Sequence, residues 1–327
     1  MNLRFDAFCA ATRTVAAGLG VHLDANETLT FTRQLEYIFT QSFQIEYPAL
    51  KGRSVAPINY QVPTGAQSHT YRQYDQFGEA DYIVDYSDEF PNGELIGKEY
   101  TAGIVPIGAS YIYSIQDLRA AQLAGFNLTS EKANLARNMV ETKLDKLIAF
   151  GDANVKIDGF LKDSAGAAVG TAVTSTGTWT SANVDADHLT VITDIQNLIK
   201  SVWVNTIQIR SVNKVLFSTK VWAKLAFSKL NQYSDETLLS YLQRTNPGVT
   251  FEPWFRLDAQ VDSTHDKAVA YSNAPDVLST IISQEFEQFA PQQRNLAFVV
   301  PVHLRCGGVT VRYPKAISYM SILNSSL

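Results

Sequence analysis

Cysteine is nearly missing from this chain of 327 residues, where Cys9 and Cys306 are the only two. A pair so far apart supplies neither a disulfide framework nor the ligand spacing of a zinc site; it points to synthesis in a reducing compartment with both thiols free. Long apolar runs are missing as well. None approaches the roughly 18 residues that a membrane helix requires. The opening stretch MNLRFDAFCAATRTVAAGLG is interrupted by Asp6 and Arg13, which makes it a poor signal peptide. A soluble protein with no membrane partner is expected.

Positive charge is also scarce. Lys and Arg number 27 against 32 Asp and Glu, for a net charge of −5, and no basic block occurs. Tight, sequence-reading contact with nucleic acid needs a cationic surface and is therefore excluded. A mildly acidic wall that lets nucleic acid slide past is not. The five histidines, His22, His69, His188, His265 and His303, lack metal-ligand spacing. The segment GTAVTSTG has neither the Lys nor the strand–helix setting of a phosphate loop, and no G-x-S-x-G is present. Acidic neighbours such as Asp88/Glu89 and Glu285/Glu287 are those of solvated faces rather than a glycosidase dyad. Trp179, Trp203, Trp222 and Trp254 lie far apart in sequence and are read as core. No catalytic residue, cofactor or metal is expected.

What the chain does contain is an ordinary globular composition, 46% hydrophobic and 18% charged, over a length fit for one large or two ordinary domains. Residues 1–56 read as an arm. Leu35, Ile38 and Phe39 have helical spacing, and Pro48, Gly52, Pro57, Pro63 and Gly65 then force an extended run. Residues 57–113 hold eight of the fifteen tyrosines. Within them, SHTYRQYDQFGEADYIVDYSDEFPNGELIGKEYTAG is rich in Tyr, Phe and charge but has one leucine, Leu95. Its composition and the PNG turn signal at 91–93 predict a β-hairpin, ~60 Å long at roughly 3.3 Å per residue. Two ordinary strands inside a β-domain are an equally open reading. An isolated hairpin is marginal in water, so a strand pair with so little core of its own must lie against something.

From residue 114 the composition becomes helical. SIQDLRAAQLAG predicts a short helix closed by Gly125. Residues 129–150 predict a longer one, capped by Thr129 or Ser130, with Ala133, Ala136, Val140, Leu144 and Leu147 as its apolar stripe. A Gly/Ser/Thr-rich loop follows at 163–183. Beyond it, 187–206 and 234–248 read as helices, and KVLFST (214–219), VTFEPWFRL and KAVAYS as strands. Residues 295–323 are β-rich, with Gly307–Gly308 marking a turn or bulge. No internal repeat is visible.

Four stretches taken together carry a resemblance: HTYRQYDQFGEA, GKEYTAGIVPIGASYIYSIQDLRAAQLAG, KLDKLIAFGD and QEFEQFAPQQRNLAFVVPVHLRCGGVTVRYPKAISYM. Over residues 27–323 the chain resembles tailed-phage major capsid proteins of the Hong Kong 97-type fold, a phage and prophage family of major capsid or encapsulating proteins. The resemblance implies an α+β fold with an N-terminal arm (1–56), a long β-hairpin E-loop (57–113) and a peripheral (P) domain at 114–160 with its spine helix at 129–150. It further implies an α/β axial (A) domain at 161–274 and P-domain return strands at 275–327, the last of which are open to rejoining the A domain.

The function implied is a non-enzymatic shell subunit that self-assembles into hexamers and pentamers of an icosahedral phage head. It would hold double-stranded DNA by non-specific contact, form in the host cytoplasm, and have scaffold, portal and decoration proteins as further partners. No scaffolding-length segment precedes the arm, so a scaffold is expected from another chain. Tyr71, Arg72, Tyr74, Tyr82, Tyr86 and Lys98 are the candidate contacts to a neighbouring copy, since Tyr and Arg are effective interface anchors. Some shells of this fold are locked by an isopeptide bond from an E-loop lysine. Here Lys98 is the only lysine in 57–113, and 295–312 contains no Asp or Glu, so such locking is not expected. Two alternatives stay open: an encapsulin-type compartment holding a protein cargo, and a soluble β-rich enzyme or carbohydrate-binding protein.

Overall fold

A computed structural model describes residues 47–80, 82, 92–125, 127–162, 165, 167–175, 179, 184–230, 233, 235–258 and 265–323. The arm up to residue 46, Tyr86 and most of the expected hairpin turn lie outside these residues.

The described chain starts with one helical turn, α1 (Gly52–Val55), and the short strand β1 (Ile58–Asn59). A hairpin follows, β2 (Ser68–Phe77) and β3 (Glu94–Gly103), then β4 (Val105–Ser114). Two helices come next, α2 (Ile115–Ala124) and α3 (Leu128–Phe150). Next are β5 (Thr171–Val173), α4 (Val184–Asn205), β6 (Lys214–Phe217), α5 (Thr219–Phe227) and α6 (Leu238–Thr245). The remaining strands are β7 (Thr250–Pro253), β8 (His265–Tyr271), β9 (Leu278–Gln288), β10 (Gln292–Arg294), β11 (Ala297–Val311) and β12 (Ile317–Leu323).

Local chemistry sets the helix ends. The Ser114 hydroxyl accepts from the Asp117 amide and the Asp117 carboxylate accepts from the Ser114 amide, a reciprocal capping box. Gly125 closes α2 in the left-handed region, at φ 68°. Helix α3 is capped by Asn127, whose side-chain oxygen accepts from the Ser130 amide. The cap therefore lies upstream of Thr129 and Ser130, the residues expected from sequence; asparagine serves there as well as they would. Ala136, Val140, Leu144 and Leu147 are buried as the stripe requires.

Two sheets organise the body. The first runs β1–β9–β11–β10, with β4 also paired to β11. The fifteen-residue β11 is its spine: its early residues pair antiparallel with β4 and its later ones with β9. At Gly307–Gly308 the strand continues through a register shift, so the glycines mark a bulge rather than a turn. Gly308 has φ 74°, and a Cβ there would stand 2.3 Å from Ile157 Cγ2 and 2.5 Å from the Asp158 carbonyl. Only glycine fits.

The second sheet runs β5–β12–β8–β6–β7. The final strand thus belongs to it. Alternate residues of this sheet feed two separate cores. Val215, Phe217, Ala268 and Ala270 pack under α4, α5 and α6, while Leu216, Val269 and Tyr271 join the core built on α3 and the first sheet. Burial on both faces explains why KVLF lacks the alternation of a half-exposed strand.

Beside the core built on α3, Asp145 of that helix is 2% exposed. One of its oxygens accepts from Arg256 Nε at 2.6 Å, and the other from the Gly52 amide at 2.7 Å. The second sheet holds the same α1 segment: Lys214 Nζ donates to the Ser54 carbonyl at 2.8 Å and the Tyr271 hydroxyl to the Val55 carbonyl at 2.6 Å. Burial, then the Glu252 charge, pushes Tyr271 well above the usual tyrosine range, which keeps it a donor. Replacing Asp145 by Ala leaves a buried guanidinium unpaired, and urea unfolding of the unassembled chain should show a loss of about 3–5 kcal/mol; a loss within ordinary surface-substitution error would remove Asp145 from this role.

Candidate assembly interface

Strands β2 and β3 pair from Ser68↔Gly103 to Phe77↔Glu94 and, among the described residues, bond to no further strand. Each has ten residues, about 34 Å at ~3.4 Å per residue. The hairpin is therefore shorter than the 57–113 span expected for it. Residues 105–114 leave it for the first sheet, because Ile107 and Tyr111 on β4 bury themselves in the body and Tyr113 stacks on Phe298 with ring centroids 5.5 Å apart.

The hairpin divides into a docked base and a bare outer half. At the base, β2 alternates, with His69, Tyr71 and Gln73 half-buried against the body and Thr70 and Arg72 exposed. His69 Nε2 lies 2.9 Å from Thr310 Oγ1, and the Tyr71 hydroxyl donates to the Val311 carbonyl at 3.3 Å. Tyr71 stacks on Tyr100 at 5.2 Å, and the Arg312 guanidinium sits 5.9 Å from its ring. Arg305 donates to the carbonyls of Thr64 and Ala66, and the Ile104 amide to that of Gln67 at 2.8 Å, which fixes where both hairpin strands leave the body. Burial, then the nearby Arg312 charge, holds the His69 pKa below its ordinary value against the opposing pull of Asp158. Burial likewise raises Tyr71, with Tyr100 and Asp158 adding to it.

Beyond Gln73 the alternation stops. Tyr74, Phe77, Leu95 and Ile96 are each at least half exposed. By strand parity Phe77 and Ile96 continue the docked face, whereas Tyr74 and Leu95 stand on the opposite one. Apolar side chains thus stand bare on both faces, which no single packing onto the chain's own body could cover.

The expected contact residues have separate fates. Tyr71 is engaged by its own chain. Arg72 pairs with Glu99 at 2.7 Å on the exposed face. Tyr74 lies bare across Gly97, Tyr82 is 96% exposed, and Tyr86 lies outside the described residues. Lys98 is exposed, opposite Gln73. Sequence reasoning passed over Phe77, Leu95 and Ile96; their signal was parity within the hairpin, which cannot be applied before the register is known.

A second polar cluster fixes the approach to β1. Arg53 makes a two-pronged pair with Glu141 of α3, at 2.9 and 3.0 Å, and a second with Glu285 of β9, at 2.9 and 3.0 Å. The Tyr60 hydroxyl donates to Glu285 at 2.8 Å. Burial pushes the Glu285 carboxyl up, but the bonds from Arg53 and Tyr60 outweigh it and hold the group below its ordinary value. Cys306 is buried and its thiol is pushed up to about 11, an unreactive core residue. Trp179 and Trp254 are core residues, but Trp203 is nearly half exposed, contrary to its expected burial. Among the described residues no three His, Cys, Asp or Glu gather as metal ligands, and no helix is long and apolar enough to cross a membrane.

Comparison with known proteins gives this geometry a context. The major capsid protein family matches residues 78–322. No curated protein is similar in sequence. Among solved structures, the capsid of Myoviridae phage XM1 superposes with a TM-score of 0.77 at 20% identity, over 93% of this chain and 100% of that one. Mycobacterium phage Ogopogo gives 0.61 at 11% identity, over 90% and 98%. A virus-like particle from Pyrococcus furiosus gives 0.53 at 13%, over 82% and 90%. The α+β architecture is that of the Hong Kong 97-type phage capsids. With well over half its length matched, the chain belongs to the major capsid protein family.

Proposed function

We propose that this chain builds the icosahedral head of a tailed phage, as hexamers and pentamers that enclose double-stranded DNA, with the β2–β3 hairpin lying across a neighbouring copy. One observation carries the placement of the hairpin: its outer half exposes apolar side chains on both faces. Burying a large apolar side chain contributes about 1.5–3 kcal/mol, so Tyr74, Phe77, Leu95 and Ile96 together favour a seat between surfaces of other subunits. The Arg72–Glu99 pair and Lys98 keep the same strands wet before contact, as expected of a surface that is exposed first and buried afterwards.

The first sheet with α3 then serves as the P domain and spine helix, and the second sheet with α4–α6 as the A domain. The arm ends before α1, because residues 52–56, expected within it, are clamped into the body instead; the hairpin acts as the working part of the E-loop. A net charge of −5 suits a wall that DNA touches without being read. The shell subunit carries no enzymatic activity; it assembles in the host cytoplasm, with scaffold, portal and decoration proteins as further partners. Greater similarity in fold to the phage XM1 capsid than to the P. furiosus virus-like particle supports a phage head over a cargo compartment. Long DNA inside purified particles supports the head; a protein cargo would favour the compartment.

Deleting residues 70–100 should leave a folded, soluble subunit that forms no shells by negative-stain microscopy, and normal particles from that deletion would overturn the reading. The docked base adds a pH dependence. His69 is held neutral by its surroundings, so its contribution to docking is complete above about pH 6.5, the free-chain value, and is lost as pH falls through the lowered one. Amide exchange of residues 68–73, corrected for its intrinsic pH dependence, should therefore accelerate on acidification in the unassembled chain. The acceleration should be abolished in His69→Gln, and equal acceleration in that variant would rule out the histidine as its source.

A further inference from the structure

The chain holds one Asn–Gly pair, Asn92–Gly93, and one Asp–Gly pair, Asp158–Gly159. Both carry the groups for the same intramolecular reaction. The glycine nitrogen can attack the preceding side-chain carbonyl carbon, since no Cβ on the glycine hinders the approach. A five-membered succinimide ring closes. The fold treats the two pairs in opposite ways.

Asp158–Gly159 is held shut. The Gly159 amide donates to the Lys162 carbonyl at 2.8 Å, and the Asp158 carbonyl accepts from the Val309 amide at 3.0 Å. Gly159 is buried, and a Cβ on it would stand 2.3 Å from the Gly151 nitrogen. A nitrogen already donating and packed against backbone cannot swing toward a side chain.

Asn92–Gly93 is open. Both residues are exposed, just beyond the Phe77↔Glu94 pair that ends the hairpin ladder. Among the described residues no hydrogen bond holds the Gly93 amide or the Asn92 side chain. A Cβ on Gly93 would meet only the Phe77 carbonyl oxygen, at 3.8 Å.

We propose that Asn92 is a self-modification site, converted in the free subunit to aspartate and isoaspartate with water as the only co-reactant. The Gly93 nitrogen gives its proton to solvent base and bonds to Asn92 Cγ, and the side-chain amide leaves as ammonia. Water then opens the ring. Cleavage of the new bond to Cγ gives aspartate. Cleavage of the original peptide bond gives isoaspartate, with the main chain running through Cγ. One water is consumed, one ammonia is released, and nothing is oxidised or reduced.

Either product disturbs this place. Residues 75–94 carry seven Asp and Glu and no Lys, Arg or His, so a further carboxylate adds to like-charge repulsion. Isoaspartate also lengthens the backbone beside Gly78, where an added Cβ would come within 2.8 Å of Gly93 Cα. The reaction therefore limits how long a free subunit keeps a usable flap. A seat on a neighbouring copy stops it by excluding water and fixing the backbone, a step that rests on the shell-subunit reading.

Peptide mapping by mass spectrometry tests both halves. In the dilute, unassembled chain at mildly alkaline pH, Asn92 should lose its amide faster than every other asparagine, and faster still as hydroxide rises. Isoaspartate should be the major product there, while Asp158 forms none. Loss at Asn92 no faster than elsewhere overturns the proposal. Gly93→Ala, at a glycine outside the positive-φ set, should slow the loss severalfold with the melting temperature unchanged or higher; an unchanged rate overturns the attack by the Gly93 nitrogen. Assembled particles should keep the amide in the buffer where free chains lose it, and equal loss overturns the protection. Chains aged to mostly isoaspartate should give a severalfold lower particle yield, and a fresh-chain yield overturns the limit on the flap. If fresh chains form no particles while Asn92 still converts, the shell reading fails and the modification stands.

Discussion

A buried carboxylate holds the architecture together. Asp145 stands on the spine-like helix α3, yet its two oxygens are taken by a backbone amide from the segment ahead of β1 and by a guanidinium from the turn after β7. Three parts of the chain distant in sequence converge on one side chain. Taking a charge out of water is costly, and breaking such a pair leaves its partner uncompensated. The helix, the α1 segment and the second sheet are therefore fixed relative to one another by a contact that tolerates little displacement. Gly52 sharpens the constraint, since a Cβ there would come within 2.8 Å of the Asp145 oxygen. Arg53, next in sequence, reaches outward to Glu141 and Glu285 and extends the same clamp to the surface.

Around this fixed centre the chain distributes its apolar residues unevenly. The two cores absorb most Leu, Ile and Val, and the second sheet is covered on both faces by them. The hairpin receives apolar residues with nowhere to place them inside the chain. Single exposed apolar residues are ordinary on any protein surface; groups of them on an organised backbone are what distinguish a contact surface. The docked base shows how the two regimes meet: within three residues, from Tyr71 to Tyr74, β2 passes from partners on its own body to none that cover it.

Much of this was legible in sequence because helix-end chemistry is local. Ser114, Asp117 and Gly125 announce α2, and the Ala136–Val140–Leu144–Leu147 stripe announces α3. What was illegible depended on pairing. Whether residues 105–114 extend the hairpin or join the body is decided by β11, nearly two hundred residues away. Helix α5 was missed because KVLFST runs into it without a Gly or Pro. Ser218 was its one signal, with a hydroxyl that accepts from the Val221 amide. The residue type of Trp203 points to the core, but its helix buries Val191, Ile195, Leu198 and Val202 on the other side. The candidate contacts were half legible: an aromatic, charged composition marked the right segment, but only the register separates Tyr71, which faces home, from Tyr74, which faces out.

On its β3 side the hairpin joins the body through a single buried residue, Ile104, between Gly103 and Val105. Immediately beyond it lies the ten-rung β4–β11 ladder from Val105↔Cys306 to Ser114↔Ala297. A tug applied to the flap by an adjoining molecule, as when the wall is stretched from within, enters that ladder lengthwise. The rungs then share the load in shear instead of unzipping one at a time. The flap is thus rooted in a long antiparallel seam that a pull would load along its length.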